Sequence, residues 1–299
     1  MDRFHMMQVF VAVAEEQGFA AAARRLQLSP PAVTRAVASL EQHLNIKLLN
    51  RTTRHVRVTE AGQRYLEDAR RLLSEVIAAE ETAAGINAEP RGHIAITAPV
   101  LFGRMFVMPA VVDYLRRFPD VEVAAVFLDR VVNLLEEGFD VGVRIGELPD
   151  SSMRALRVGS VRRVVCASPS YLERAGLPQT PDDLSSHSII ASSAGSGAPG
   201  WQFFSDGAMH TIKLKPRLSV STNDAAVEAA REDFGITRLL SYQIAPQLAS
   251  GELKILLSEF EPRPLPIHIL HREERQSSSK VRAFIDLLAA RLRADTALN

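Results

Sequence analysis

The residues best placed to do chemistry are the cations between positions 24 and 57. This segment holds seven Lys or Arg residues and one acidic residue, Glu41, although the whole chain balances 35 basic against 35 acidic residues. A local excess of positive charge suits a phosphate backbone, because each neutralised phosphate releases counterions. The alternative that composition leaves open is a helical hairpin whose charges are solvated.

Two short helices and a turn would have to position these cations. Ser29 is a good N-cap, since its hydroxyl can accept a hydrogen bond from a first-turn amide, and Pro30 suits the first helical position. The second helix shows apolar spacings of four, three and four, which predict one buried stripe: Val33, Val37, Leu40 and Leu44. The side chains on its opposite face are small or cationic, so none is bulky enough to keep this face out of a groove: Pro31, Thr34, Arg35 and Ala38.

The segment FAAAARRLQLSPPAVTRAVASLEQHLNIKLLNRTTRHVRVTEAG, residues 19–62, resembles the winged helix-turn-helix of LysR-type transcriptional regulators. With this resemblance the hairpin alternative is set aside, and residues 1–58 are expected to bind double-stranded DNA. A helix at residues 3–16 is expected to supply the floor of this domain through Phe4, Met7, Phe10, Val11 and Ala14. The expected DNA contacts lie on the second helix and on a short two-stranded wing: Ser29, Pro30, Pro31, Thr34, Arg35, Arg51, Arg54, His55 and Arg57.

Residues 59–84 read as one long helix that begins with a Thr cap and Glu60 in the first turn. At ~1.5 Å per residue it would be roughly 39 Å long, with one apolar seam. Such a helix needs a partner; a second copy of the chain is predicted, and packing on its own C-terminal domain is the alternative. A dimer would place two recognition helices on the two half-sites of an inverted repeat. The predicted dimerisation seam is Tyr65, Ala69, Leu72, Val76, Ala79 and Ala83.

From residue 93 onward, strand patterns alternate with helix patterns, which predicts an open α/β sheet. Helices are predicted at 104–118, 131–137, 169–175, 224–232 and 281–292. Strands are predicted at 93–97, 121–127, 140–145, 162–167, 188–191, 217–220, 236–240 and 267–271.

The phrases FDVGVRIG, RRVVCASPSYL, GLPQTPDDL and KVRAFIDLL resemble the periplasmic-binding-protein-like effector domain of the same family. The fold class is therefore α/β, with an all-α winged helix-turn-helix, a linker helix and hinge at 59–90, and a two-lobed α/β effector domain at 91–299. Lobe 1 is expected at 91–161 and 267–299, and lobe 2 at 162–266. The resemblance also implies RNA polymerase as a partner and a homodimer that assembles to a tetramer or larger.

An effector is expected between the lobes, beyond the carboxyl ends of strands. Loop 98–103 precedes a helix, and its free amides could hold an anion. The loop offers no hydroxyl at Pro99 or Val100, which indicates an apolar effector or one held by backbone; Arg144 is the cation best placed for a carboxylate, unless it pairs with Asp140 or Glu147. The expected contacts are Pro99, Val100, Leu101, Phe102, Phe127, Arg144, Ser193, Thr222, Asn223 and Ile236.

Other chemistry finds little support in the sequence. The GxGxxG at 195–200 contains Pro199 and precedes a strand, so it lacks the helix that a dinucleotide site requires. The eight His residues are scattered, and lone Cys166 is expected to be a buried apolar residue of a cytoplasmic protein. We expect no cofactor, metal, catalytic residue or membrane span. The alternatives to a regulator are a solute-binding protein, an enzyme with a DNA-binding appendage, and a sequence-tolerant architectural DNA binder.

Overall fold

The computed structural model describes residues 2–51, 56–84, 89–148, 153–193, 200–272 and 278–298; of these, the side chains of 51, 74, 75, 77–84 and 272 are not described. The chain forms two compact units, Met1–Ala88 and Glu89–Asn299. Within the described ranges, no helix is long and apolar enough to cross a membrane.

The N-terminal unit consists of three helices, a two-stranded antiparallel wing and a long fourth helix. In chain order these are α1 (Arg3–Glu15), α2 (Phe19–Arg25), α3 (Pro30–Leu44), β1 (Leu49–Arg51), β2 (Val56–Val58) and α4 (Glu60–Ala84). The wing pairs Asn50 with Arg57. The predicted helices at 3–16 and 59–84 are confirmed to within one residue, and the predicted two-stranded wing is present, with its first strand beginning at Leu49.

The core of this unit confirms most of the predicted apolar stripe of α3. Val33, Val37 and Leu40 are each at most 2% exposed, whereas Leu44 is 36% exposed. The stripe ends there because the next residue, Asn45, takes a left-handed conformation (φ 50°) that terminates the helix.

The predicted buried face of α1 is wrong in part. Phe4 is 46% exposed, while Val9 and Val13 are fully buried. Helix α1 packs against both α3 and α4. A helix covered on two sides buries more than one stripe, so a single-face reading of its sequence fails.

Two predicted helix caps are present. The Ser29 hydroxyl accepts a hydrogen bond from the Ala32 amide at 3.4 Å. The Thr59 hydroxyl accepts one from the Gly62 amide at 2.9 Å and donates to the Lys47 carbonyl at 2.8 Å. Thr59 therefore joins the start of α4 to the segment that leads into the wing.

Glu41, on the buried side of α3, fixes the same segment from its other side. Its carboxylate accepts hydrogen bonds from the amides of Leu48 (2.9 Å) and Leu49 (3.1 Å) and pairs with Lys47 Nζ (2.8 Å). Burial alone would raise the pKa of this carboxyl, but the bonds from Lys47, Leu49 and Leu48 hold the pKa below its usual value. Residues 47–49 are thus held between α3 and the start of α4.

Gly62 allows α4 to approach this segment closely. A Cβ at this position would lie 2.1 Å from the Leu48 carbonyl oxygen. No side chain fits there unless α4 moves away from the strand.

The C-terminal unit contains two five-stranded sheets and one two-stranded antiparallel sheet formed by Trp201–Ser205 and Ala208–Ile212. Its strands are β3 (Gly92–Ala98), β4 (Val121–Phe127), β5 (Val141–Ile145), β6 (Met153–Val161), β7 (Arg163–Ala167), β8 (Ile189–Ser192), β9 (Trp201–Ser205), β10 (Ala208–Ile212), β11 (Leu218–Val220), β12 (Ile236–Leu240), β13 (Lys254–Leu256) and β14 (Leu265–Arg272). Its helices are α5 (Val100–Phe102), a π-helix at Gly103–Val107, α6 (Met108–Arg117), α7 (Pro169–Ala175), α8 (Asn223–Arg231), α9 (Ala245–Ser250) and α10 (Ser279–Ala294). Short 3-10 turns lie at Pro181–Ser186, Ser241–Ile244, Ser258–Phe260 and Thr296–Leu298.

The strand orders define two lobes. The first sheet is ordered β4-β3-β5-β14-β6, and the second β11-β8-β12-β7-β13. The chain passes from the first sheet to the second between Val161 and Arg163, and returns between Leu256 and Leu265. Strand β14 runs antiparallel to β5, and β7 antiparallel to β12, so each sheet mixes parallel and antiparallel neighbours.

Two predictions about the first lobe are wrong. The predicted helix at 131–137 is absent: residues 131–133 have no regular structure and 134–138 form turns, where the Asn133 side chain accepts the Leu135 amide at 3.1 Å and so competes with helical bonding. The predicted loop 98–103 is helical from Val100, whose amide donates to the Asp129 carboxylate at 3.0 Å. That amide is therefore already capped within the chain.

Three strands escaped prediction: β6, β10 and β13. Strand β6 carries charged residues at Arg154 and Arg157 within its nine residues, so it shows no clean apolar period. Strand β10 is largely exposed and β13 has three residues. Each depends on pairing with a neighbouring strand and has little apolar pattern of its own.

We expect Glu41→Gln to loosen α3 and β1 at neutral pH. Weakening bonds to a buried charged acceptor typically costs about 1–3 kcal/mol. Because the folded-state pKa of Glu41 is lowered, this stabilisation is complete above the ordinary carboxyl pKa and is lost as the pH falls through the folded value. Hydrogen exchange of peptides spanning residues 30–49 should therefore be faster than wild type at neutral pH, and the difference should shrink in acid.

The matched control for this experiment is Glu67→Gln. Glu67 is exposed on α4 and accepts one hydrogen bond, from Gln63 at 3.2 Å. It should leave exchange of residues 30–49 unchanged. Equal protection in Glu41→Gln and wild type at neutral pH would contradict the proposed role of Glu41.

Candidate functional site

The first candidate site is the exposed face of α3. The predicted contact residues Ser29, Pro30, Pro31 and Arg35 are exposed, and Thr34 is half-buried between that face and the core. Helix α3 therefore presents a short hydroxyl and a long cation side by side, at positions 34 and 35. These residue types can hydrogen-bond the edges of bases in a major groove.

The N-terminus of α3 has its first amides occupied or missing. Pro30 and Pro31 carry no N–H group. The Ala32 and Val33 amides both donate to the Ser29 carbonyl, at 2.9 and 3.2 Å. The first turn therefore has few free backbone N–H groups that could bind a phosphate, and side chains must provide the contacts of this helix.

The local cations fall into two groups. Arg25 pairs with Glu15 at 2.7 Å and with Glu16 at 3.4 Å, and Lys47 pairs with Glu41. Among the described residues, no carboxylate lies within ion-pair distance of three other exposed cations: Arg24, Arg35 and Arg57. These three are therefore available to an external anion.

Two further wing residues predicted to contact DNA, Arg54 and His55, lie outside the described residues, as does the side chain of Arg51. Arg57 occupies the middle of β2 with its side chain exposed. The described part of the wing therefore presents one cation.

The predicted seam on α4 divides into two parts. Ala69 is fully buried and the Tyr65 ring lies 5.6 Å from the Phe10 ring, so both serve the core of the N-terminal unit. Leu72 is 39% exposed and Val76 is half-buried. The side chains of Ala79 and Ala83 lie outside the described residues.

The second candidate site is a cavity of about 790 Å³ between the two sheets of the C-terminal unit. Pro99, Asp129, Ile145 and Leu265 line it from the first lobe. The second lobe contributes the remaining wall: Arg163, Ile189, Ile190, Ala191, Ser192, Ser193, Gly200, Trp201, Gln202, Leu214, Pro216, Ser219, Asn223, Arg238, Leu239, Leu240, Tyr242, Gln243. Its size is typical of small-molecule sites, and its walls combine apolar side chains with polar and charged ones.

The structure brings only some of the predicted effector residues to this cavity. Pro99, Ser193 and Asn223 line it. Phe102 and Ile236 are fully buried, and Leu101 is nearly so. Val100 and Thr222 are exposed, and Phe127 packs on the core of the first lobe; none of these three lines the cavity.

Arg144, the predicted carboxylate-binding cation, does not line the cavity. Its Nη1 donates to the Val143 carbonyl at 2.8 Å. Burial lowers its pKa, and the negative charge of Glu137 partly offsets this effect. Neither alternative partner, Asp140 or Glu147, forms an ion pair with Arg144 in the described part of the chain.

The cavity contains residues that the sequence analysis missed, above all Arg163, Arg238, Trp201 and Tyr242. The Tyr242 ring packs edge-on against Phe102 at 5.3 Å, which brings a residue following β12 into the core of the first lobe. One signal was available in the sequence: Arg238 interrupts the apolar strand ITRLL. A charge at the centre of a buried strand needs a partner or a ligand.

Both cavity arginines are partly dehydrated. Burial, and secondarily the charge of Arg163, lower the pKa of Arg238 to about 9; burial also lowers the pKa of Arg163. Arg238 therefore remains charged at neutral pH. Its guanidinium lies 5.3 Å from the Trp201 ring centre and donates to the Gln202 carbonyl at 3.3 Å.

Other reactive groups do not form a site of their own. Cys166 is fully buried, and burial raises the pKa of its thiol to about 12, so the thiolate that would react is scarce at neutral pH. Across the described ranges, no cluster of three or more His, Cys, Asp or Glu side chains could hold a metal ion. Residues 194–199, most of the GxGxxG sequence, lie outside those ranges.

Comparison with known proteins covers both units. Residues 4–63 match the model of the family described as bacterial regulatory helix-turn-helix protein, lysR family, and residues 87–293 match the LysR substrate binding domain. The HTH-type transcriptional activator AaeR of Escherichia coli is 33% identical over 290 residues, which are 96% of this chain and 93% of AaeR.

Solved structures agree with this result. CrgA, a LysR-type transcriptional regulator from Neisseria meningitidis, aligns with a TM-score of 0.63 and 29% identity over 96% of this chain and 98% of CrgA. The full-length virulence activator AphB of Vibrio cholerae aligns with a TM-score of 0.62 and 26% identity over 97% of this chain and 99% of AphB. The chain belongs to the LysR family of DNA-binding transcriptional regulators, with a helix-turn-helix domain followed by an effector-binding domain.

Proposed function

We propose that the protein reads an inverted-repeat operator as a homo-oligomer, and that a small molecule in the cavity between the lobes controls this binding. The observation that carries the proposal is the exposed face of α3, where Arg35 stands beside Thr34 without a carboxylate partner among the described residues. RNA polymerase is the proposed downstream partner, and the cytoplasm the proposed location, because the chain belongs to a family of DNA-binding transcriptional regulators.

Base readout should depend on side chains more than on the helix terminus. Two prolines remove amide donors from the first turn of α3, and Ser29 occupies the next two amides. We therefore assign base contacts to Thr34 and Arg35, and phosphate contacts to Arg24 and Arg57. Pro30 and Pro31 would then give the helix end its shape without adding a donor.

Dimerisation is assigned to the part of α4 beyond Ala69. Tyr65 and Ala69 are already packed within their own unit, so they cannot supply most of an intermolecular seam. Leu72 is exposed and Val76 half-buried on the same helix, which leaves an apolar stripe for a second copy. Pairing of two such dimers would give the proposed tetramer.

The proposed effector site is the 790 Å³ cavity. A ligand there touches both lobes, and Tyr242 couples the second lobe to the core of the first. A ligand that binds one arrangement of the lobes more tightly shifts the population toward it, and the shift is limited by that difference in affinity.

The proposal predicts different defects for two arginine variants. Arg35→Ala should lower the preference for selected operator over random duplex by about 1–3 kcal/mol, because it removes a base contact. Arg57→Ala should weaken binding to both duplexes equally. It should also reduce the slope of the log binding constant against log salt concentration by the amount expected for about one phosphate contact. Fluorescence anisotropy at several salt concentrations measures both quantities, on an operator selected by the wild-type protein from a random library.

Arg117→Ala is the control for charge loss, since Arg117 pairs with Asp113 at 2.9 Å in the other unit. It should bind both duplexes as wild type does. If Arg35→Ala keeps the wild-type preference for its operator, readout by α3 through Arg35 is wrong.

A second prediction concerns Leu72→Glu. A charge in the proposed seam should weaken the dimer by at least about tenfold, because an unpaired carboxylate would be buried between two helices. Sedimentation velocity over a concentration series measures this. The control is Gln63→Glu, which adds the same charge at an exposed position of α4. If Leu72→Glu dimerises as tightly as the wild type, the interface does not include Leu72.

A further inference from the structure

The register of the second sheet places two arginines on one face. Strand β7 runs antiparallel to β12, with Arg163 opposite Leu240 and Val165 opposite Arg238. Residues two apart on a strand share a face, so Arg163 and Arg238 are diagonal neighbours on the same side of the sheet. Both side chains line the cavity.

These arginines differ from two other arginines of the second lobe, which form ion pairs. Arg162 pairs with Glu261 at 3.0 Å, and Arg231 pairs with both Glu228 and Glu252. Over the described ranges, neither Arg163 nor Arg238 has a carboxylate within ion-pair distance. Asp129, the acid that lines the cavity, accepts the Val100 amide and pairs with neither arginine.

Two adjacent, partly dehydrated guanidinium groups repel each other and lose hydration. One hydrogen bond, from Arg238 to the Gln202 carbonyl, and stacking near Trp201 offset only part of this cost. Each guanidinium has five N–H donors in a planar fork that matches a carboxylate. An anion in the cavity would use the remaining donors and screen the repulsion.

The rest of the cavity indicates what the anion is attached to. Ile145, Ile189, Leu214 and Leu265 supply an apolar part of the wall, which also contains polar side chains, and the Trp201 ring lies beside Arg238. Inorganic phosphate or sulfate would leave this apolar surface uncovered in about 790 Å³. A small organic acid with an apolar body fits both parts of the site.

We infer that Arg163 and Arg238 form the anion subsite of the cavity, and that the effector is a carboxylate with an apolar body whose head group both arginines bind. The inference rests on the proposed function, in that it names the chemical class of effector for the proposed cavity. It replaces Arg144 with this pair as the carboxylate-binding cations.

The test uses Trp201, the single tryptophan of the chain. The full-length protein is titrated with benzoate and with 4-methylpentanoate, each against its uncharged amide, while Trp201 emission is recorded. At least one acid should bind saturably and about 10–100-fold more tightly than its amide, the range expected for charge-assisted hydrogen bonds. Sodium phosphate at the same concentrations should not reproduce the change.

Variants assign the effect to the two arginines. Arg163→Gln and Arg238→Gln should each remove most of the preference for acid over amide, and Arg238→Lys should retain part of it because the charge remains without the fork. Arg217→Gln is the control: Arg217 is exposed in the same lobe, bonds Ser188 Oγ at 3.0 Å and does not line the cavity. Iodide quenching of Trp201, which reports local positive potential, should fall in the two glutamine variants and stay unchanged in the control.

Three results would each overturn the inference. The first is equal affinity for acid and amide in both pairs, and the second is phosphate binding as tight as that of the acids. The third is wild-type acid binding in both glutamine variants. These measurements contain no DNA, so they separate the subsite from the regulatory proposal. Carboxylate binding without any change in operator binding would leave the subsite in place and refute effector control. If operator binding responds to another class of ligand and the acids do not bind, effector control is supported and the carboxylate subsite is refuted.

Discussion

The position of the wing beside α3 depends on one buried carboxylate. Glu41 accepts the amides of Leu48 and Leu49 and pairs with Lys47, while Thr59 bonds the carbonyl of Lys47 from the other side. These bonds fix residues 47–49 between α3 and α4, and the wing continues from that segment. The orientation of the wing relative to the recognition helix therefore follows from hydrogen bonds within the unit, before any DNA is bound.

In the C-terminal unit the corresponding constraint is strand register. The antiparallel pairing of β7 and β12 brings Arg163 and Arg238 to one face, and the lobe crossing near 161–163 places that face on the cavity. The first lobe contributes Pro99, Asp129, Ile145 and Leu265, and its core packs against Tyr242. Both arginines and most of the wall belong to the second lobe, and a ligand that contacts both lobes would respond to their relative position.

The sequence predicted the parts of the structure that have a strong local pattern. The Ser29 and Thr59 caps, the stripe Val33, Val37 and Leu40, and most strands of the α/β unit are present as expected. The family assignment was also correct, because its motif is long and ordered.

Features that depend on tertiary context could not be predicted in this way. Phe4 faces solvent because α1 is covered from two other directions, and Asn133 turns an apparent helix into turns. The missed cavity arginines lie far apart in the chain, and only the register of β7 with β12 brings them together. Arg144, by contrast, looked correctly placed along the sequence but lies outside the lining of the cavity.

The most direct measurement is a footprint of the full-length protein on the DNA upstream of its own gene, with random duplex in excess. The account predicts protection of an inverted repeat whose half-sites lie a whole number of helical turns apart, as two copies of α3 on one duplex require. Salt-dependent coating of the DNA without a protected site would contradict it, because the helix-turn-helix would then hold DNA without reading its sequence.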